Sequence, residues 1–540
     1  MDNISQYKPI KQYLKERILD VLVEFEITDV IPKIEVPSDI DNGDFSTNIA
    51  MVSAKRLNKK PLELAVQIAD TLTGKKLKYI NSVSAVAPGF INFYLNFDWL
   101  YELIDYVLSA GIDSFSKLNL GDNKTVQIEF VSANPTGPLH VGNGWWAAYG
   151  DSLARLLVRC GYNVSKEYYV NDTGGQIRTL GESILASKNK TEPPNNGYKG
   201  GYIDDLAEQY SGGDDVNEVG KWAADIILKE IKETLLKMHV EYDSWYSQNY
   251  IEQGGAVEET LNELTQKGLI YQKEGATYLA SEQLGDTRDR VLIKSNGDIT
   301  YTCGDIAYHR DKFKRRGFDK VIDVFGADHH GQIASLKSAM KALDVDPSNL
   351  EIQIGQMLSL VGGKMSKRAG NFVKLDDLLD EIGVDAARLM SLMTSIDQAT
   401  VLDIDLIKST SMENPVYYLQ YAYARICSIQ QKATEENFGL PKIDDINLKL
   451  LVDQREISLL KVISEFEDVM VDAADSRRPH KITAWARQVA AAFHSFYHDC
   501  RVLDTNEIEL STARLALVEA TKISLAVALE ILGVTLLEHM

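Results

Sequence analysis

Apolar residues recur along this chain with two different periods, and the switches between them outline its parts. Ile10, Leu14, Ile18, Leu22 and Phe25 fall at helical spacing among Lys and Glu, which predicts an amphipathic helix over residues 5–26. A second helical pattern covers 61–73, and strand-like runs surround Ile34 and Ile91 to Leu95. APGFINFYL (87–95) alternates apolar residues, and 97–109 reads as a helix leading out of a small α/β module, 1–110. Further on, Val126, Ile128 and Val131 predict a strand over 125–131. The chain then turns through Asn134, Pro135 and Gly137 and enters a helix at His140 that runs to about Cys160. Gly161 stops that helix, and a second strand follows from Val164 to Val170. Strand, Gly/Pro turn, helix, strand is the βαβ unit, whose helix N-terminus presents free amide groups to phosphate.

The Pro, Asn and Gly of KNKTEPPNNGYKGG (188–201) mark a loop. The charged helical pattern of 203–290 behind it reads as an insertion, about 188–290 in all, between two halves of a nucleotide-binding fold. From about residue 400 the pattern is helical almost throughout, and the late helix Ala513 to Leu532 ends at Gly533. The expected organisation is therefore multidomain α/β. A small α/β module (1–110) precedes a Rossmann-type parallel-sheet unit with an insertion (111–395), and an all-α bundle (396–540) ends the chain. A chain of 540 residues fits several units, since single cores stop growing near ~250–300 residues.

Composition adds constraints. With 45% hydrophobic and 25% charged residues the chain resembles an ordinary soluble globular protein. No apolar run approaches the ~20 residues that a membrane span needs. Cys160, Cys303, Cys427 and Cys500 are scattered without a CxxC pair, which fits reduced thiols in a cytoplasmic protein. The net charge of −21 speaks against a nucleic-acid partner as a whole, but affinity for phosphate depends on local clusters. Lys55, Arg56, Lys59 and Lys60, followed by Lys75, Lys76 and Lys78, form one cluster, and HRDKFKRRGFDK (309–320) is another. For either cluster alone, a solvated face that binds nothing is as good a reading.

The chemistry concentrates in two segments. In EFVSANPTGPLHVGN (129–143) a tight turn delivers His140 to a helix mouth, where it can donate to phosphate. In GGKMSKRAG (362–370) Lys367 sits on a Gly-flanked loop as a point charge for a leaving phosphate, with Lys364 in support. HVGN is a variant of the HIGH signature, and KMSKR follows it in the order seen in class I aminoacyl-tRNA synthetases, which this chain resembles. EYYVNDTGGQI (167–177), GYKGGYI (197–203), FGADHHGQ (325–332) and NPVYYLQYAYARI (414–426) are similar to blocks of the arginyl-tRNA synthetase family. GDFSTNIA (43–50) and APGFINFYL resemble its N-terminal module, so the likeness runs from about residue 40 to the C-terminus.

That resemblance implies ATP-dependent activation of L-arginine and its transfer to tRNA(Arg), by a monomer. ATP with Mg enters as substrate, and no bound metal or organic cofactor is expected. Asp328, His329 and His330 in FGADHHGQ are thin evidence for a metal site and fit a loop lining the nucleotide pocket better. His140, Asn143, Lys364 and Lys367 are the implied catalytic residues. Pro138, Leu139, Val141 and Gly142 join His140, Asn143 and Lys367 around ATP. Glu129, Ser132 and Asn134, with Tyr301 and Asp305 of TYTCGDIAYHRDKF (300–313), are the implied arginine pocket. A guanidinium independently calls for carboxylates placed for bidentate hydrogen bonds. Asp305 reads equally well as a helix N-cap after Gly304. The C-terminal bundle would bind the anticodon through Asn414, Tyr418, Tyr421 and Arg425, and Lys55, Arg56, Lys59 and Lys60 would meet the outer corner of the tRNA. Two departures stand out. Asn143 replaces the second signature histidine, and Gly137 stands where members lacking the KMSKS lysine carry a lysine, whereas this chain keeps Lys367.

Overall fold

The protein is described by a computed structural model over residues 7–356, 358–360, 373–409, 411–439 and 441–539. The N-terminal module places helices Ile10–Glu24 and Pro61–Gly74 with a three-stranded antiparallel sheet, in the order Phe45–Thr47, Phe90–Leu95, Ile80–Val86. Ile10, Leu14, Ile18 and Leu22 are all buried, so the helical period read from the sequence is the buried stripe. The strand expected around Ile34 shrinks to one bridge, Glu35 to Ser46. Strand Ile80–Val86 has no fully buried position, and its sequence accordingly shows no clean alternation.

The central unit is built on β1 (Thr125–Glu129), α1 (Val141–Arg159), β2 (Asn163–Val170), α2 (Val216–Lys237), β3 (Ser244–Ser247), α3 (Tyr301–Arg310), β4 (Lys320–Gly326) and β5 (Leu350–Gly355). The sheet order is β5-β4-β1-β2-β3 with every neighbouring pair parallel, as the βαβ reading requires. The order reverses between β1 and β4, and open α/β sheets bind ligands outside the carboxyl ends at such a switch point. At Gly150 of α1 a Cβ would lie 2.2 Å from the Phe130 ring, so only glycine lets the helix settle on the end of β1. Residues 188–290 do not form a single interruption. Ser244–Ser247 returns to the sheet as its edge strand, too short to display a period. Helix Ala256–Gln266 and a small antiparallel sheet of Ile270–Lys273, Ala276–Leu279 and Arg290–Ile293 make a separate piece beyond it.

Helix α4 (Val384–Ser391) leads to the C-terminal helices, which include α5 (Pro415–Glu435) and α6 (Ile508–Leu532). Among the described residues no helix is long and apolar enough to cross a membrane. The N-terminal module packs on this bundle. The Tyr101 hydroxyl donates to the Leu451 carbonyl at 3.0 Å, and Lys461 pairs with Asp44 at 2.6 Å. A buried guanidinium joins the other parts. Arg388 of α4 donates to Asp151 of α1 at 2.7 Å, to the Leu532 carbonyl of α6 at 3.0 Å and to the Met238 carbonyl just beyond α2 at 2.9 Å. Both charged side chains are inaccessible to solvent. Burial would raise the Asp151 carboxyl, but Arg388, Arg155 and Lys166 together hold it below its ordinary value.

Stranding one member of a buried pair costs about 3–5 kcal/mol. Asp151→Ala leaves the Arg388 charge without its carboxylate, whereas Arg388→Met leaves Asp151 with Arg155 and Lys166. Asp151→Ala is therefore expected to lower the urea unfolding midpoint more than Arg388→Met does; the reverse order would refute this account of the joint.

Candidate active site

His140 is the N-cap of α1. Its Nδ1 accepts from the Asn143 N–H at 3.3 Å, and the Asn143 Oδ1 accepts from the His140 N–H at 3.0 Å, a reciprocal capping box. Asn143 is buried, and its carboxamide oxygen is committed to the helix start. Accepting at Nδ1 leaves the ring proton on Nε2, so His140 is a neutral donor in this geometry. A Cβ at Gly142 would lie 3.0 Å from the His140 Cε1 and 3.1 Å from its Nδ1, so that glycine keeps the ring in place. Leu139 and Val141 are buried in the core. Residues 373–375 run antiparallel to this turn. Val141 N–H donates to the Val373 carbonyl at 3.3 Å, Leu375 N–H donates to the Leu139 carbonyl at 2.9 Å, and His140 bridges Lys374. Lys364, Lys367 and the loop 362–370 lie outside the described residues.

Beside Pro138 opens a cavity of about 470 Å³, lined among others by Tyr202, Asp205, Glu230 and Lys374. The Tyr202 hydroxyl donates to the Thr136 carbonyl at 3.1 Å, and its ring lies 3.3 Å from where a Gly137 Cβ would stand. Tyr202 of the GYKGGYI block thus braces the signature turn, and a side chain at Gly137 would have to displace it. Burial pushes the Glu230 carboxyl up, with Lys374 opposing.

On the other side of β1 the chain twists sharply. Val131 and Ser132 have φ of 69° and 37°, and a β-branched residue in that region is strained backbone of the kind that gathers at functional sites. The turn lets the Ser132 Oγ donate to Glu129 Oε1 at 3.0 Å and accept from the Tyr169 N–H at 3.0 Å. Asn134 Nδ2 donates to Gln176 Oε1 at 2.7 Å. Tyr301 opens α3 and is 67% exposed, and Asp305 follows four residues later on the same face. Thr300 accepts from the Cys303 N–H at 3.2 Å and is the N-cap, so the capping alternative for Asp305 is set aside. The Tyr169 phenol is pushed up by burial first, then by the charges of Asp305 and Glu129.

Sequence reasoning missed what lies beneath Glu129. Lys312 is 0% exposed and donates to Glu129 Oε2 at 2.7 Å and to Asp323 Oδ1 at 2.8 Å. His309 presents Nε2 to Asp323 Oδ2 and Nδ1 to the Asp305 carbonyl, both at 2.7 Å. Burial alone would raise the Asp323 carboxyl; Lys312 and His309 outweigh it and hold it down. An aspartate inside the apolar run KVIDVFG was the available signal for this network. Lys312 gave none, because it sits in the basic run 309–320, which reads as well as a solvated face as it does as a phosphate-binding cluster. In the structure its members are paired. Arg310 and Lys314 pair with Glu263, Arg315 with Asp311, Arg316 with Glu167 and Lys320 with Glu351. The cluster is spent on internal carboxylates.

Of the residues expected to meet tRNA, Tyr421 stacks on Tyr417 at 5.7 Å between centroids, and Arg425 lies 4.9 Å above the Tyr421 ring and 5.0 Å above Tyr497. Tyr418 packs edge-on against His494. Asn414 stands apart. It is the buried N-cap of α5, donating to the Ile407 and Ser409 carbonyls and accepting from the Val416 N–H. In the N-terminal module Lys55 and Lys60 are exposed, Arg56 pairs with Asp29, and Lys59 donates to Gln67 at 2.6 Å. The close Gly142–His140 approach gives a direct expectation. A misplacement of about 1 Å can cost ~10²-fold in rate, so Gly142→Ala should reduce turnover at least tenfold while the unfolding midpoint stays near the parent's; unchanged turnover would remove His140 from the reaction.

Three family models match the chain in order. They are the arginyl tRNA synthetase N terminal domain over residues 8–95, the catalytic domain of class I (R) tRNA synthetases over 107–211 and 202–412, and the DALR anticodon binding domain over 419–540. An arginine–tRNA ligase of Carboxydothermus hydrogenoformans is 42% identical over 528 residues, covering 94% of each chain. One from Bacillus licheniformis is 41% identical over 563 residues and covers 100% of both. The structure of the Thermus thermophilus arginyl-tRNA synthetase superposes with a TM-score of 0.80 over 98% of this chain and 100% of that one, at 22% identity, which bears on the fold. Matched over its three units and across nearly its whole length, on a parallel sheet whose switch point holds the signature histidine, this chain belongs to the arginyl-tRNA synthetase family.

Proposed function

We propose that the chain is an arginine–tRNA ligase that makes arginyl-adenylate from L-arginine and ATP and passes the arginyl group to the 3′ end of tRNA(Arg). In the first step the arginine carboxylate attacks the α-phosphorus and pyrophosphate leaves; in the second a terminal ribose hydroxyl attacks the carbonyl carbon and AMP leaves. What supports this reading is His140 at the start of α1 beside the sheet's switch point, with Glu129 at the end of β1 and Asp305 on helix α3. Charge builds on phosphate oxygens in the first step, and donors aimed at them do most of the work. His140 supplies one through Nε2. Lys367, supported by Lys364, neutralises the pyrophosphate, and Mg arrives with ATP as part of the substrate. Asn143 acts by holding His140 on the helix start. Glu129 and Asp305 receive the two cations of arginine, its guanidinium and its ammonium, with Ser132, Asn134 and Tyr301 completing the pocket. Tyr418, Tyr421 and Arg425 offer unpaired anticodon bases a stacking surface worth about 1–3 kcal/mol per base, and Lys55 to Lys60 face the outer corner of the tRNA. The enzyme works as a cytoplasmic monomer.

Pyrophosphate exchange with each amino acid, with and without total tRNA, tests the assignment. Exchange is expected with arginine and only when tRNA is present; exchange with another amino acid would discard the pocket. Glu129→Gln removes one charge from a hydrogen bond worth about 1.5–3 kcal/mol, so the KM for arginine should rise roughly tenfold or more and the KM for ATP far less. Equal rises would take Glu129 out of the arginine pocket.

A further inference from the structure

The reaction just described gives no part to Lys312, a buried cation bonded to Glu129. Lys312 lies in the π-helical turn Asp311–Arg315 that continues α3, and such turns concentrate at functional sites. Tyr301, Asp305, His309 and Lys312 follow one another along a single helical stripe. The upper end of that stripe faces the pocket, and the lower end is bonded to the sheet. Lys312 bridges Glu129 at the end of β1 and Asp323 of β4, which are register neighbours in the parallel sheet.

We propose that Lys312 is a positioning residue that holds the Glu129 carboxylate in one orientation and separates it from Asp323, and thereby sets the preference for a positively charged amino-acid side chain. The inference rests on the reading that Glu129 contacts arginine. With Lys312 on Oε2 and Ser132 on Oε1, the carboxylate cannot rotate, yet each oxygen keeps a second lone pair for a ligand. Without the ammonium, Glu129 and Asp323 would face each other in a buried site, and two carboxylates there share the burden by taking up a proton. Glu129, at the mouth, is the one that can take it from solvent, and a neutral carboxyl no longer selects a cation.

The remaining groups around Lys312 offer no substitute. Glu167 of β2 is held by Arg316 and by the Tyr308 hydroxyl, the Tyr308 ring lies 4.3 Å from Nζ, and His309 is bound to Asp323. Burial opposes the Lys312 charge, but Asp323, Glu129 and Glu167 outweigh it and keep the ammonium protonated above its ordinary range.

The test uses the full-length protein with tRNA, measuring pyrophosphate exchange with arginine and with citrulline, its neutral isostere, from about pH 6 to about pH 9. Lys312→Met should raise the arginine KM about tenfold at neutral pH, leave the ATP KM within about twofold, and narrow the arginine-to-citrulline ratio. The excess should shrink as pH rises and Glu129 ionises again. Lys312→Arg, which keeps the charge, should restore the parent, and adding Glu129→Gln to Lys312→Met should add nothing to the arginine KM. Equal rises in both KM values, a pH-independent loss, or additive effects would overturn the proposal, because a merely structural lysine would produce them. Glu129→Gln alone with a parental arginine KM would instead sink the underlying pocket reading. Should Lys312→Met fail to fold, Lys312→Arg decides: a parental pH profile of the arginine KM supports the proposal, and a profile displaced by about one pH unit or more overturns it.

Discussion

The Asp151–Arg388 pair is the contact on which the rest of the architecture depends. Neither charge touches solvent, and two such charges are tolerable only because every donor and acceptor around them is matched. A guanidinium suits this position because its planar fork reaches one carboxylate and two backbone carbonyls at once, which a lysine could not. The requirement spreads to its neighbours. Gly533 adopts φ of 67°, and a Cβ there would lie 2.1 Å from Arg388 Nη2, so both the conformation and the space demand glycine. A second clamp, Arg477 with Glu351 of β5 and its carbonyl with the Tyr149 hydroxyl, ties the same bundle to the sheet edge.

The same logic, applied under the substrate pocket, serves a different end. The joint between units is sealed, whereas the set formed by Glu129, Lys312, Asp323 and His309 has one member at the mouth of the site. Low local dielectric makes each partner strict about the next, so a change of charge at the surface of the pocket is felt two residues down. Strained backbone at Val131 and Ser132 is the local price of turning the Ser132 hydroxyl back onto Glu129.

Much of this was legible beforehand, and the remainder failed for identifiable reasons. The period of Ile10, Leu14, Ile18 and Leu22, the turn before His140 and the stop at Gly161 are local signals, and local signals reproduce helices and the βαβ unit. Tyr301 and Asp305 came from a motif and share a helix face, as their spacing allows. Lys312 and Arg388 could not be recognised, because their partners stand 183 and 237 residues away and an ion pair of that separation leaves no periodicity. Two positions hide chemistry that side-chain type alone does not reveal. The basic run 309–320 is matched largely by acids contributed from three other elements, Glu263, Glu167 and Glu351, and Asn414, polar and beside tyrosines, spends its amide on its own helix terminus. Edge strand Ser244–Ser247 was hidden for a third reason, since four residues at the rim of a sheet carry too few side chains to alternate.

The joint also dictates an order of events during biosynthesis. Ser152 and Arg388 both wait for the Leu532 carbonyl, and the Ser152 hydroxyl reaches it across 380 residues. Domains generally fold as they leave the ribosome, N-terminal first, and contacts between distant segments come late. The helix that carries His140 is therefore made early and completed among the last. Until the chain has been synthesised through its final long helix, the nascent protein holds a catalytic scaffold whose buried guanidinium still lacks one of its acceptors.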